Sequence, residues 1–264
     1  MISHYQSNLE NFLHWSNTTP NNLYLRQPHG DQYIDYSYAA AAVEIKKIAH
    51  FLQRHLTEES KNVGIVAKNS AHWMMADLAI AAAGGISVPF YATLTKDQLH
   101  QVLVHSECSI LIVGKLDHWD KIKEAIPEHV LVIHTPESSE KSGHQWTEIL
   151  KSENEIANFH QPKSEDIATI VYTSGTTGMP KGVMITYGGI EAGINMAREI
   201  ALLDQPSARF ISYLPLCHIA ERNFVEFAGT AAGGTIYFVE NLDTFAKNLA
   251  TARPTHFLAV PRIW

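Results

Sequence analysis

Between Tyr172 and Gly182 the chain reads Tyr172-Thr173-Ser174-Gly175-Thr176-Thr177-Gly178-Met179-Pro180-Lys181-Gly182. Hydroxyls, glycines and a single lysine stand in order between two apolar runs. Glycine lets backbone N–H groups turn toward a common point, hydroxyls donate to phosphate oxygens, and lysine supplies a point charge. That is chemistry suited to a polyphosphate. The stretch is not a Walker loop, which needs Gly-Lys followed by Ser or Thr and then a helix. Here Pro180 precedes Lys181, Gly182 follows it, and the next residues have the pattern of a strand. The plain alternative is a hydrophilic β-hairpin turn, but such turns seldom carry this many hydroxyls together with a lysine.

A second segment, Tyr213-Leu214-Pro215-Leu216-Cys217-His218-Ile219-Ala220-Glu221-Arg222, lies where a strand gives way to a helix. An imidazole there can donate a hydrogen bond to developing negative charge without acting as a strong base. A lone histidine at a helix start is more often satisfied by backbone carbonyls, so His218 gains its interest from its setting. Glu221 and Arg222 read as an internal or subdomain ion pair with no catalytic role. Cys217 reads as a small packed residue, because nothing nearby would ionise it. His50 with His55, and His100 with His105, are five apart and share no helix face as metal ligands would.

Hydrophobic periodicity predicts the elements that position these residues. Apolar positions at Ala42, Ile45, Ile48, Ala49 and Leu52 predict a helix over residues 38–55. Residues 62–67 read as a buried strand. Ser70 caps a helix over 71–83, and Gly84 suits its left-handed exit. A strand over 86–90, a Thr95/Gln98 capping box opening a helix to His105, and a strand over 109–113 follow. This alternation is the signature of a parallel sheet covered by helices. After a strand over 130–134, the polar stretches 135–145 and 151–166 read as loops around a short helix near 146–151. The second polar stretch sets the expected boundary, with a first α/β subdomain at 1–162 and a second at 163–264. The second carries the phosphate-binding loop and is expected to be truncated at its C-terminal end. It holds strands over 167–172, 182–186, 209–214, 235–240 and 255–260, alternating with helices near 189–203, 218–232 and 244–252.

The loop and the Leu-Pro-Leu-x-His-x-x-Glu-Arg segment together resemble the adenylate-forming (AMP-binding) superfamily, in the form of its long-chain fatty acyl-CoA synthetase branch. Weaker similarities lie in Asn69–Trp73, Ala76–Ala79, Val88–Thr93 and Ala259–Trp264, so all but the first ~20 residues, at a terminus, are covered. The resemblance implies an α/β fold. It corresponds to the N-terminal part of the large domain of an acyl-CoA synthetase-like adenylate-forming enzyme, incomplete here, with sheets and helices in a layered αβαβα arrangement. It implies that Thr173, Ser174, Gly175, Thr176, Thr177, Gly178 and Lys181 hold the ATP phosphates, that Thr173 also contacts Mg²⁺, and that His218 is catalytic beside the acyl carboxylate. The implied reaction converts a fatty acid and ATP to acyl-AMP, then uses CoA to form acyl-CoA. Activation of another carboxylic acid, or a non-catalytic nucleotide- or lipid-binding pseudoenzyme, are the competing readings. The family's later motifs, and the C-terminal half that carries them, are missing from this sequence. The isolated chain is therefore expected to be inactive and prone to associate.

Composition bounds the rest. With 45% hydrophobic and 18% charged residues the sequence suits a folded domain, and the net charge of -7 leaves no excess of cations for general nucleic-acid binding. Two cysteines in no ligand-like spacing fit a reducing compartment, and the N-terminus lacks a signal-peptide pattern. The expected location is cytoplasmic, with peripheral contact at the inner face of a membrane compatible with an acyl substrate.

Overall fold

The computed structural model describes residues 7–173, 180–201, 203, 207–261 and 263. In chain order the elements are α1 (Asn8–Thr18), β1 (Leu23–His29), β2 (Gln32–Ser37), α2 (Tyr38–His55), β3 (Asn62–Val66), α3 (Ala71–Ala83), β4 (Ile86–Phe90), α4 (Lys96–His105), β5 (Ile110–Val113), α5 (Trp119–Ile122), β6 (Leu131–His134), β7 (His144–Gln145) and α6 (Trp146–Ser152). They continue with β8 (Ile167–Thr173), β9 (Lys181–Thr186), α7 (Tyr187–Ala201), β10 (Arg209–Ser212), α8 (Ile219–Glu221), a π-helical turn (Arg222–Phe227), α9 (Ala228–Ala231), β11 (Thr235–Phe238) and α10 (Phe245–Ala252). The chain divides into two compact units, residues 43–187 and residues 1–42 with 188–264.

The 43–187 unit is built on a seven-stranded sheet in the order β7-β6-β5-β3-β4-β8-β9. All neighbours are parallel except β8 and β9, which form an antiparallel hairpin at one edge. Short strands such as Ile110–Val113 are buried at every position, as a sheet covered on both faces requires. Ser70 accepts the Trp73 amide at the start of α3, and Gly84 ends that helix at φ 82°, where a Cβ would be strained. The Thr95/Gln98 capping box is present on α4. Leu99, Val102 and Leu103 of α4 pack with Val88, Phe90, Leu111, Val113 and Tyr172 in one apolar core. Burying each Leu- or Val-sized side chain stabilises the fold by about 1.5–3 kcal/mol. Near the start of α3, the buried His72 places Nδ1 2.6 Å from Glu137 Oε1 and Nε2 3.5 Å from Glu44 Oε2. Burial disfavours a charged ring, but the two carboxylates outweigh it and raise the His72 pKa to about 9.

The other unit holds a four-stranded sheet in the order β10-β11-β1-β2, with only the β1–β2 hairpin antiparallel. Phe12, Tyr24 and Tyr38 cluster in its core at centroid distances of 4.4–5.8 Å, with Tyr24 and Tyr38 stacked and Phe12 tilted against both. Their polar ends are used: Tyr24 Oη meets Thr230 Oγ1 at 2.9 Å and Tyr38 Oη donates to the Gly234 carbonyl at 3.1 Å. Gly233 sits at φ 65°, and a Cβ there would lie 2.6 Å from the Trp15 ring.

Three expectations differ from this structure. The boundary at 162/163 does not divide the sheets, because β8 pairs with β4 and carries β9 with it into the first sheet. The early α1 and β1–β2 segments join the later strands instead. Residues 255–260 form no regular strand: the Thr255 and His256 amides both bond to the Arg209 carbonyl, after which the ladder is not extended. The expected continuous helix over 218–232 is interrupted by the π-helical turn.

Candidate functional site

The glycine–threonine loop joins β8 to β9. Ser174, Gly175, Thr176, Thr177 and Gly178 lie outside the described residues. The two ends of the loop are described: Thr173 is the last residue of β8, Lys181 is the first of β9, and they face one another as antiparallel partners. Both are exposed. Hairpin pairing therefore brings one hydroxyl and one ammonium to the same mouth, although they are eight positions apart in the chain.

Alternation along the strands puts Tyr172 and its partner Gly182 on the opposite face. A Cβ on Gly182 would come within 2.7 Å of Ile170 Cγ2 and 3.4 Å of Tyr172 Cζ, so glycine allows this close passage. Tyr172 is buried, with its hydroxyl 2.7 Å from His105 Nδ1 and its ring 5.9 Å from that of Phe90. Burial pushes the Tyr172 phenol up to about 12, so it stays a neutral hydrogen-bonding group. Tyr172 and His105 thus brace the root of the hairpin, a contact that sequence reasoning missed.

His218 belongs to the other unit. It is exposed and serves as the N-cap of α8, its Nδ1 accepting the Ala220 amide at 3.2 Å. An imidazole that accepts through Nδ1 carries its proton on Nε2 when neutral. With Nδ1 used as the acceptor, Nε2–H is the donor that the ring presents. The backbone around it is closed as well: the His218 amide donates to the Pro215 carbonyl at 2.9 Å, and the His218 carbonyl accepts the Glu221 and Arg222 amides at 3.1 and 3.2 Å. Leu216 and Cys217 are buried beside it, and burial pushes the Cys217 thiol up to about 12, which leaves it a packing residue.

The expected Glu221–Arg222 pair is not what the structure forms. Adjacent helical residues point to different faces, so Arg222 reaches one turn on, donating from Nε to Glu226 Oε2 at 3.1 Å. Both partners are buried, and the Arg222 guanidinium lies 5.0 Å from the Phe227 ring centroid. Glu221 instead folds back, its Oε1 accepting the Tyr213 amide at 2.9 Å. Burial raises the Glu221 carboxyl to about 8 against the opposing hydrogen bonds from Ser212 and the Tyr213 and Leu214 amides. The four-residue spacing of Arg222 and Glu226 was the readable signal for the true pair.

Residues 12–264 match the family described as AMP-binding enzyme. This chain belongs to the AMP-binding enzyme family. The peroxisomal long chain acyl-CoA synthetase 7 of Arabidopsis thaliana is 32% identical over 275 residues, covering 97% of this chain and 39% of that protein. The long-chain-fatty-acid–CoA ligase ACSBG2 of Xenopus laevis is 30% identical over 258 residues, covering 91% of this chain and 35% of that protein. The chain thus spans little more than a third of these curated relatives. Among solved structures, the fatty acyl-adenylate ligase from L. pneumophila, in complex with acyl adenylate and pyrophosphate, superimposes with a TM-score of 0.74 at 20% identity, covering 95% of this chain and 43% of that one. The α/β fold of this family member is therefore shared with part of that adenylate ligase.

Among the described residues no group of three His, Cys, Asp or Glu side chains could hold a metal ion. Thr173, the residue expected to contact Mg²⁺, presents an exposed hydroxyl, an oxygen of the hard kind that suits this cation. Among the described residues no helix is long and apolar enough to cross a membrane.

Proposed function

We propose that the polypeptide carrying this chain activates a long-chain fatty acid with ATP, forming acyl-AMP and then acyl-CoA. The observation that carries the reading is the hairpin mouth, where Thr173 faces Lys181 across the ends of the hydroxyl- and glycine-rich loop. In this reading Thr173, Ser174, Gly175, Thr176, Thr177, Gly178 and Lys181 hold the triphosphate. Lys181 neutralises phosphate charge as the acyl carboxylate attacks the α-phosphorus and pyrophosphate leaves. His218 donates from Nε2 to the oxygen on which negative charge gathers, and its cap bond from Ala220 fixes the donor in advance. The CoA thiol then displaces AMP. Mg²⁺, bound with ATP, would be held at Thr173 and would supply further charge neutralisation. The fatty-acid substrate is supported by the names of the most similar curated relatives. Free, buried Cys108 and Cys217 support a reducing compartment such as the cytoplasm.

The reading is tested by fatty-acid-dependent exchange of pyrophosphate into ATP, catalysed by the whole natural polypeptide that contains these residues. Lys181→Ala should raise the KM for ATP about tenfold, the loss of one charge-assisted contact of about 1.4 kcal/mol. An unchanged ATP dependence removes Lys181 from the phosphate site. The 264 residues alone, at little over a third of their relatives' length, should show little exchange.

A further inference from the structure

A buried carboxyl group one helical turn beyond His218 has no place in the chemistry above, yet it closes the turn on which His218 stands. Glu221 is 1% exposed, and its Oε1 accepts the Tyr213 amide at 2.9 Å, eight residues back along the chain. That bond ties the end of the strand segment to the first turn of the helix. Inside it lie the His218 amide to Pro215 carbonyl bond and the Ala220 amide to His218 Nδ1 bond. Tyr213 is itself held, with its ring 5.1 Å from Phe245 and 5.9 Å from Phe257 and its hydroxyl donating to the Leu258 carbonyl at 3.1 Å. The arch from 213 to 221 therefore has one fixed foot at Tyr213 and a clamp at Glu221.

Stability alone does not call for a carboxyl group here. Burial penalises its charged form, and an apolar side chain of similar volume would avoid that cost. A polar group kept at a cost beside a candidate catalytic residue marks a geometric demand. Building on the function proposed above, we infer that Glu221 is a positioning residue: by holding the Tyr213 amide it fixes the arch and, through it, the direction of the His218 Nε2–H donor.

The test uses the whole natural polypeptide with three substitutions at this position and one at His218. Glu221→Gln keeps an oxygen acceptor for the Tyr213 amide and should retain kcat for fatty-acid-dependent exchange within about threefold. Glu221→Met keeps the volume without a comparable acceptor and should lower kcat about tenfold, with the KM for ATP changed less than twofold. Glu221→Asp, which withdraws the acceptor by one methylene, should behave like Glu221→Met and is read in its place if the methionine variant does not fold. Long-range ¹H–¹⁵N spectra add a readout that general destabilisation would not move. In wild type and Glu221→Gln the His218 Nδ1 should be the unprotonated nitrogen, and in Glu221→Met the ring should show both tautomers. Wild-type kcat and an unchanged His218 tautomer in Glu221→Met or Glu221→Asp would overturn the inference. His218→Ala separates the two proposals. If it abolishes exchange while the Glu221 variants do not affect kcat, only the positioning role falls. If it leaves exchange intact, the functional reading itself fails.

Discussion

The two segments proposed to carry chemistry, the mouth of the β8–β9 hairpin and the arch from Tyr213 to Glu221, are anchored in opposite ways. At the hairpin mouth the side chains of Thr173 and Lys181 are exposed, and backbone pairing holds the two residues opposite one another. At the arch, side chains do the holding: Glu221 on the Tyr213 amide, His218 on the Ala220 amide, and the buried Arg222–Glu226 pair in the π-helical turn behind them. The difference matches what each is proposed to do. A point charge on a flexible stem attracts phosphate from many angles, whereas a hydrogen-bond donor to a developing charge must be aimed before the reaction begins. π-Helical turns occur often at functional sites. Here the turn follows the His218 arch, with Arg222, Val225, Glu226 and Phe227 buried.

The comparison is broken most directly behind the arch. Glu226→Ala would leave the Arg222 guanidinium buried without its carboxylate, and should cost about 3–5 kcal/mol in urea denaturation. Lys181→Ala, on an exposed strand end, should fall within about 0.5 kcal/mol of wild type in the same experiment. Equal losses would erase the contrast.

A pH series sharpens it. Glu221 binds its proton more tightly folded than unfolded, rising from 4.5 to about 8, so its contribution is fully present below pH 4.5 and is lost as pH rises to 8. Wild type should therefore lose roughly 4 kcal/mol more than Glu221→Gln across that window, from about 1.36 kcal/mol per unit. Parallel pH profiles for the two proteins would show that the carboxyl is not buried as described.

Smaller effects are expected on activity. His218→Ala should lower kcat about a hundredfold with little change in the KM for ATP, as loss of one preorganised donor does. Lys181→Ala should do the reverse, raising the KM for ATP about tenfold with kcat within threefold. Both variants moving the same parameter would mean that the two segments do not divide the work as proposed.

Local elements were legible in the sequence because their causes are local. The periodicity over 38–55, the Ser70 cap, the Gly84 exit and the Thr95/Gln98 box each depend on residues within a few positions, and each is present in the fold. The positions of Thr173 and Lys181 at the two ends of a hairpin and of His218 at a helix start were legible for the same reason, whereas their roles are proposals. What was not legible depends on distant partners. The sheet to which β8 belongs is decided by its pairing with β4, some eighty residues earlier, and no pattern inside residues 163–186 records it. The apolar run 255–260 has the composition of a strand, but the structure uses it to receive the Tyr213 hydroxyl. Glu221 and Arg222 are adjacent opposite charges, and adjacency suggested a pair that helical geometry forbids.

The claim on which the rest depends is that this hairpin and this histidine serve carboxylate activation. It is tested by incorporation of labelled pyrophosphate into ATP by the whole natural polypeptide, with and without a long-chain fatty acid, in wild type and in His218→Ala. The account predicts exchange that requires the fatty acid and falls about a hundredfold in the variant. Exchange that is indifferent to the acid, or unchanged by the loss of His218, would contradict it.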